Sequence, residues 1–288
     1  MMARALLVAF AGGCLVALPA LAAQPSPATG DVPIGAGGSL TLFVPPGQPA
    51  NHGIQPMFPR RPVPHNSVPP PPDPRDFEGG WTGMFGVNEY DRNGKWIEPP
   101  FTPEGARIYW YRVEMNNAGT PVADTMVQCK PMGPLLEMSA EFGREVLQTP
   151  HELLWLANED HLMRRIEIGG VHPRDLKPSY LGNSVAHWEG DTLVIDTIGF
   201  NDRTWLDYNG APHSKQLHLI EHLRKFDHGY QLEDVVTIED SVMYMRPWTI
   251  RLAWNWAPIT APALEVVCEE NNLELSDFTA KDLQKHDP

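Results

Sequence analysis

From Arg144 onward, apolar and polar residues alternate with a period of two, which is the pattern of β-strands with one buried face. The runs are rich in Val, Ile, Leu, Trp and Thr, and turn residues such as those at 189–191 and 227–229 separate them. The pattern predicts strands at 145–149, 153–157, 162–168, 184–188, 192–198, 217–226, 230–238, 248–256 and 264–269.

Short strands joined by tight turns favour an antiparallel meander. A sheet with many strands tends to close on itself, because an open sheet leaves unpaired edges. We therefore expect a mainly β protein, an antiparallel meander that closes into a lipocalin-like barrel or a strongly curved sheet. Before the meander, 79–83 is typical of a first strand, and Thr102 followed by Pro103 predicts a short helix to about Glu114. A second helical turn is expected after Pro134.

The N-terminal segment has the layout of a cleaved signal peptide. Arg4 precedes an apolar run, Pro19 ends the run, and Ala20 to Ala22 form a small-residue cleavage site. A transmembrane anchor would need about 20 apolar residues, and this run is shorter. Residues 23–76 then hold 15 of the 30 prolines, so an extended leader is expected. The predicted organisation is a signal peptide at 1–22, a Pro-rich leader at 23–76, a single β domain at 77–275 and a C-terminal tail at 276–288.

Export and charge narrow the expected partners. A signal peptide predicts a periplasmic or secreted protein whose mature chain has no membrane insertion. The formal net charge of -14 disfavours nucleic acid, so the expected partner is a small-molecule ligand or substrate. Cleavage leaves only Cys129 and Cys268, which in an oxidising compartment are expected to form a disulfide. Two separate buried thiols are the alternative.

Charged residues inside apolar stripes are the first candidates for chemistry. Alternate residues of a strand face opposite sides, and Glu221, Asp196 and Arg164 each fall on a stripe of apolar residues. If these stripes line one interior, two carboxylates and a guanidinium meet there and must pair or face a wet cavity. One reading is a structural ion pair, or an opposite assignment of faces. The other is a polar cluster below a ligand pocket, where a carboxylate acts as acid or base.

Two long connections interrupt the meander, at 169–182 and 199–214, and loops of this length are often functional. In the second loop, Asp202, Asp207 and His213 could reach one another as an acid and base group. The alternative is a self-capped loop with Trp205 as its hydrophobic pin. We expect Glu221, Asp196, Asp202, Asp207 and His213 to be catalytic, and substrate to be bound by Arg164, Tyr180, Asn183, Trp188 and Trp205.

The segment 218–222 matches the H-x-x-E-H pattern of inverted zinc peptidases, in which two histidines on one helical face bind zinc. That chemistry needs a helix, whereas 217–226 alternates like a strand and would turn Glu221 away from both histidines. His218 and His222 are therefore only weak metal candidates, and no metal ligand is assigned. No glycine-rich nucleotide loop follows any strand. We predict no cofactor, and a divalent metal is the alternative.

The segment from Asn183 to Asp202 reads NSVAHWEGDTLVIDTIGFND. It resembles a largely uncharacterised family of secreted bacterial proteins with the signature S-V-x-x-W-E-G-D-T-L-V-x-D-T-x-G-F-N-D. The resemblance covers about 80–272, with weaker matches at 102–105 and 129–131, and it implies no particular activity. The family pattern has a histidine where this chain has Asn183, which puts a catalytic histidine there in doubt. The predicted strand content is also similar to calycin and lipocalin barrels, an analogy of fold.

The sequence therefore predicts an exported enzyme that acts on a small, largely apolar or aromatic metabolite by side-chain acid/base chemistry. A lyase, isomerase, hydratase or hydrolase would fit. One alternative is a periplasmic lipocalin-like protein that binds its ligand without chemistry. A second alternative is a metal-dependent hydrolase that uses His213, His218 or His222.

Overall fold

The computed structural model describes residues 68–84, 98–118, 129–139, 143–158 and 162–257. The signal peptide, most of the Pro-rich leader, the predicted strand at 264–269, Cys268 and the C-terminal tail lie outside the described residues. The strands are β1 (Gly79–Met84), β2 (Gly143–Thr149), β3 (Glu152–Ala157), β4 (Met163–Ile168), β5 (Asn183–Glu189), β6 (Thr192–Ile198), β7 (His218–Phe226), β8 (Gln231–Glu239) and β9 (Trp248–Trp256). The helices are α1 (Pro103–Asn117), α2 (Pro134–Met138) and a 3-10 turn at Asp227–Gly229.

The nine strands form a closed barrel in chain order, with β9 paired to β1. This confirms the predicted mainly β barrel with short helices. One pairing differs from the predicted antiparallel meander, because β4 and β5 run parallel. The connection at 169–182 is long enough to carry the chain back along the barrel, so that β5 starts in the same direction as β4.

The barrel interior is built from alternate residues of each strand. In β3 and β4 every second residue is buried, including Leu153, Trp155 and Ile166. Trp155 packs edge-to-face on Trp254 of β9, with ring centroids 5.1 Å apart. Aromatic rings of this size bury much apolar area. Most of the core therefore comes from the inward-facing residues that alternate along the strands.

Both helices follow from local sequence signals. The Thr102 side chain caps α1 by accepting a hydrogen bond from the backbone N–H of Gly105 at 3.1 Å. The helix ends at Asn117, three residues beyond the predicted Glu114. All five residues of α2 are buried, and the Met138 carbonyl accepts hydrogen bonds from Arg144 and Trp254 of the barrel. Neither helix of the described part is long and apolar enough to cross a membrane.

Candidate functional site

A cleft of about 480 Å³ opens between β4 and the segment that leads into β5. The β4–β5 ladder has only three residue pairs, from Ile166 with Ser184 to Ile168 with Ala186. The start of β4 and the segment before β5 are therefore not paired, and the cleft lies between them. The cleft is lined by Pro131, Met163, Arg164, Arg165, Glu167, Ser179, Tyr180, Leu181, Gly182, Asn183 and Ser184. Three predicted substrate-binding residues, Arg164, Tyr180 and Asn183, therefore share one cleft.

Gly182 lets the far wall of the cleft approach β6. Its φ of +67° is a left-handed conformation, and a Cβ there would lie 2.8 Å from the carbonyl oxygen of Ile198. The neighbouring Ser179 pairs with Phe200, and the Asn201 N–H donates to the Ser179 carbonyl at 2.7 Å. Close backbone packing thus fixes the wall that carries Tyr180 and Asn183.

A continuous chain of polar contacts begins at the rim of the cleft and crosses the outer face of the barrel. His172 Nδ1 lies 2.7 Å from Asn183 Oδ1, and His172 Nε2 lies 2.9 Å from Asp196 Oδ1. The other oxygen of Asp196 is 3.0 Å from His218 Nε2, and His218 Nδ1 is 3.1 Å from Glu239 Oε2. We call these five residues the outer chain. Its side chains come from the 169–182 loop, β5, β6, β7 and β8.

The electrostatics of the outer chain favour an ionised Asp196. Partial burial raises the pKa of Asp196, but hydrogen bonds from His172 and His218 outweigh this effect and hold the pKa below its usual range. A carboxylate fixed beside an imidazole orients the ring and selects which nitrogen carries the proton. His172 with Asp196 is therefore arranged as an oriented base.

Asp196 faces the opposite way from its predicted position. The predicted interior stripe of β6 was Val194, Asp196 and Ile198, whereas Leu193, Ile195 and Thr197 are the residues that face inward. Val194 is also buried, so β6 is apolar on both faces at its start and its parity is ambiguous from the sequence. For β6 the alternative reading, an opposite assignment of faces, is therefore the one that applies, and the catalytic role of Asp196 stays a prediction.

Glu221 and Arg164 do meet inside the barrel, as their stripes predict. Arg164 Nη1 donates to Glu221 Oε1 at 2.8 Å, and Nη2 donates to Glu221 Oε2. The remaining guanidinium donors reach Ser184 Oγ, Thr197 Oγ1 at 2.9 Å and the Met138 sulfur at 3.3 Å. Every N–H of Arg164 thus has an acceptor, which is the condition for a buried guanidinium to be tolerated.

Three further charged residues, which are not among the predicted site residues, join this pair. Asp234, Glu137 and Arg144 are also buried, and together with Arg164 and Glu221 we call them the interior cluster. Burial raises the pKa of Asp234, and the neighbouring Glu221 raises it further. Burial likewise raises the pKa of Glu137, against the opposing effect of both arginines. Asp234 lies on the apolar stripe of Leu232 and Val236, so the parity rule that found Glu221 also applies to it.

In the 199–214 loop, Asp207 and Trp205 have the positions that the self-capped reading gave them, whereas Asp202 caps no turn. Asp207 Oδ1 accepts from the backbone N–H groups of Asn209 and Ala211, at 2.9 and 2.8 Å. Trp205 is buried, and the Arg112 guanidinium lies 5.0 Å from its ring. Asp202 is exposed and lies 3.5 Å from Lys215. The catalytic roles of Asp202 and Asp207 stay predictions.

His213 is buried in the same loop and has a defined tautomer. Its Nδ1 donates to the Ser214 carbonyl at 3.0 Å, so Nε2 accepts from the Thr204 hydroxyl at 2.6 Å. Burial lowers the pKa of His213, which favours this neutral ring. The backbone of Gly133 covers Thr204, since a Cβ on Gly133 would lie 2.9 Å from Thr204 Oγ1. The predicted catalytic role of His213 is untested.

Trp188 lies away from the cleft. Its ring borders a second groove of about 280 Å³ with Arg75, whose guanidinium is 5.5 Å from the ring centroid. The weak metal candidates His218 and His222 share the outer face of β7, while Glu221 points inward, as a strand requires. Within the described ranges, no group of three or more His, Cys, Asp or Glu side chains is arranged to hold a metal ion.

No protein-family model matches the chain, and no curated protein is similar to it in sequence.

Proposed function

We propose that the protein is an exported enzyme that acts on a small, largely apolar or aromatic metabolite in the β4–β5 cleft by side-chain acid/base chemistry. The observation that carries the proposal is the outer chain, which begins at Asn183 on the rim of the cleft and places an Asp196-oriented imidazole beside it. A base held by a carboxylate next to a binding cleft is a recurring arrangement for proton abstraction.

His172 is the proposed base. With Nε2 donating to Asp196, Nδ1 is unprotonated and available as a base once the Asn183 amide, whose Oδ1 lies 2.7 Å from Nδ1, turns its NH2 group toward the ring or is displaced. His172 lies behind Asn183, which lines the cleft, so a bound substrate would bring its acidic hydrogen to Nδ1 by displacing the Asn183 amide. The proton then resides on His172, and Asp196 stabilises the resulting imidazolium.

The lining of the cleft supports the proposed substrate class. Pro131, Met163, Leu181 and the Tyr180 ring supply apolar surface. The polar lining groups come from both walls, from Arg164, Arg165 and Glu167 of β4 and from Ser179, Asn183 and Ser184 opposite. Ligand sites commonly combine a mainly apolar wall with a few polar groups that fix orientation. An aromatic or aliphatic body against Met163 and Leu181 would direct its polar end toward Asn183 and His172.

Metabolite depletion by the full chain tests the proposal. Wild type, Asp196→Asn and His187→Gln would each be incubated with a small-molecule extract and compared by untargeted profiling. His187 is the matched control, because it also pairs with a carboxylate, Glu189 at 3.1 Å, on an exposed part of β5. We expect a compound that wild type and the control deplete and that Asp196→Asn spares. A compound retained equally by all three without conversion would support a ligand-binding protein instead.

Export and a Cys129–Cys268 disulfide are part of the same proposal. Cys129 lies two residues before Pro131 of the cleft, and Cys268 lies outside the described residues. Thiol titration of the mature protein, unfolded without reductant, should find no free thiol, and two free thiols would contradict the bridge.

We also propose that the reaction needs no cofactor. Elemental analysis of active protein tests this against the metal-dependent alternative. Stoichiometric metal whose removal abolishes conversion would contradict it.

A further inference from the structure

His218 lies between two carboxylates that come from the neighbouring strands. Its Nε2 is 3.0 Å from Asp196 Oδ2 on β6, and its Nδ1 is 3.1 Å from Glu239 Oε2 on β8. A neutral imidazole has one N–H donor and one acceptor, whereas an ionised carboxylate only accepts. One of the two contacts is therefore lost unless the ring or a carboxylate carries an additional proton.

The surrounding groups assign that proton to the ring. Both oxygens of Asp196 already face imidazole nitrogens, one from His172 and one from His218, and these contacts hold the pKa of Asp196 below its usual range. Asp196 is therefore an ionised acceptor. Between the ring and Glu239, the ring takes the additional proton, because an imidazole is a stronger base than a carboxylate.

We infer that His218 is a positioning residue, an imidazolium held between Asp196 and Glu239 that fixes the Asp196 carboxylate against His172. The groups that face it are Asp196 from β6 and Glu239 from β8, with His172 of the 169–182 loop on the far side of Asp196. Its value for catalysis rests on the proposed function, since His172 is the group that would contact substrate. Its charge and its hold on Asp196 do not depend on any substrate.

Nitrogen NMR of the full-length, ¹⁵N-labelled protein tests the charge at neutral pH. Both ring nitrogens of His218 should give the signals of protonated nitrogens, and exposed His187, which has the single carboxylate partner Glu189, is the reference ring. An unprotonated nitrogen in His218 would overturn the inference. In Glu239→Gln, one of the two His218 nitrogens should lose its proton, and an unchanged His218 would overturn the role of Glu239.

The effect of His218 on the position of Asp196 is measured separately, by proton exchange at His172. In His218→Gln the Asp196 carboxylate loses one of its two imidazole contacts, so the proton on His172 Nε2 should exchange with water about tenfold faster, as for one weakened charged hydrogen bond. His187→Gln should leave this exchange unchanged. An equal exchange rate in His218→Gln would overturn the positioning role. Neither measurement needs a substrate, so a failure here is distinguishable from a failure of the metabolite experiment.

Discussion

The interior cluster and the outer chain both join carboxylates to nitrogen bases across several strands, but they differ in their access to water. The Arg164 and Glu221 side chains are 3% and 1% exposed, and every guanidinium donor already has a partner. The Asp196 and His218 side chains are 43% and 28% exposed. Both groups border the cleft, the outer chain through Asn183 and the interior cluster through Arg164. A substrate can compete for contacts in the outer chain, whereas any loss in the interior leaves a charge without water.

The interior cluster and the outer chain therefore have different roles, one in the fold and one in the reaction. Buried ion pairs contribute little net stability, yet breaking one is strongly destabilising, so the interior cluster constrains which strands meet. Exposed pairs contribute less than about 1 kcal/mol and are free to change partners during a reaction.

Breaking the interior pair should have the largest effect. Glu221→Gln removes the carboxylate that pairs with Arg164 in the core, and we expect the free energy of unfolding to fall by about 3 to 5 kcal/mol. Equilibrium unfolding in urea measures it. The matched control is the double variant Arg164→Met with Glu221→Leu, which removes both charges and should be more stable than the single variant. A single variant within about 1 kcal/mol of wild type would show that the pair is not closed to water.

The next largest effect concerns turnover of the compound identified by profiling. His172→Gln should lower kcat by about 100-fold, the lower end for loss of a general base, with a smaller change in KM because the residues that line the cleft are retained. Steady-state kinetics beside His187→Gln measures this. A loss confined to KM would assign His172 to binding.

The interior carboxyls should make stability fall as pH rises. The raised pKa of Asp234 means that the folded state binds more protons than the unfolded state from about pH 4 up to the folded pKa. Within this window the stability contribution falls by up to about 1.4 kcal/mol per pH unit. In Asp234→Asn, the free energy of unfolding should depend less steeply on pH in this window. A smaller slope should remain, because the pKa of Glu137 is raised as well. Parallel profiles for variant and wild type would contradict this.

Asp196 should give the smallest effect, with the opposite sign. Its pKa is lowered in the folded state, so its contribution is present above the unfolded pKa of about 3.9 and is lost as pH falls through the folded pKa. Asp196→Asn should reduce stability at neutral pH by less than about 1 kcal/mol, because water screens so exposed a pair. The difference from wild type should vanish in acid, and a difference that grows in acid would contradict the assignment.

The sequence predicts the barrel well because most strands alternate cleanly. In β4 and β7 one face is apolar, so Arg164 and Glu221 stand out as inward charges. In β6 the residues from Leu193 to Ile195 are all buried, so alternation does not show which face is inward. The apolar stripe of Val194 and Ile198 therefore places Asp196 on the wrong face. The parallel β4–β5 pairing depends on the path of the 169–182 loop, which has no periodic signal. The same loop brings His172 to Asp196, so no strand pattern could reveal that contact.

The decisive measurement is turnover per folded molecule, together with the free energy of unfolding, in Asp196→Asn and Glu221→Gln. It tests whether the outer chain acts in the reaction and the interior cluster in stability. We expect each variant to lose one of the two properties and to keep the other. Asp196→Asn should lose about 100-fold in kcat and keep its stability, whereas Glu221→Gln should lose stability and convert substrate at the wild-type rate in its folded fraction. Wild-type turnover in Asp196→Asn, with turnover lost in folded Glu221→Gln, would contradict the account and place the chemistry in the barrel interior.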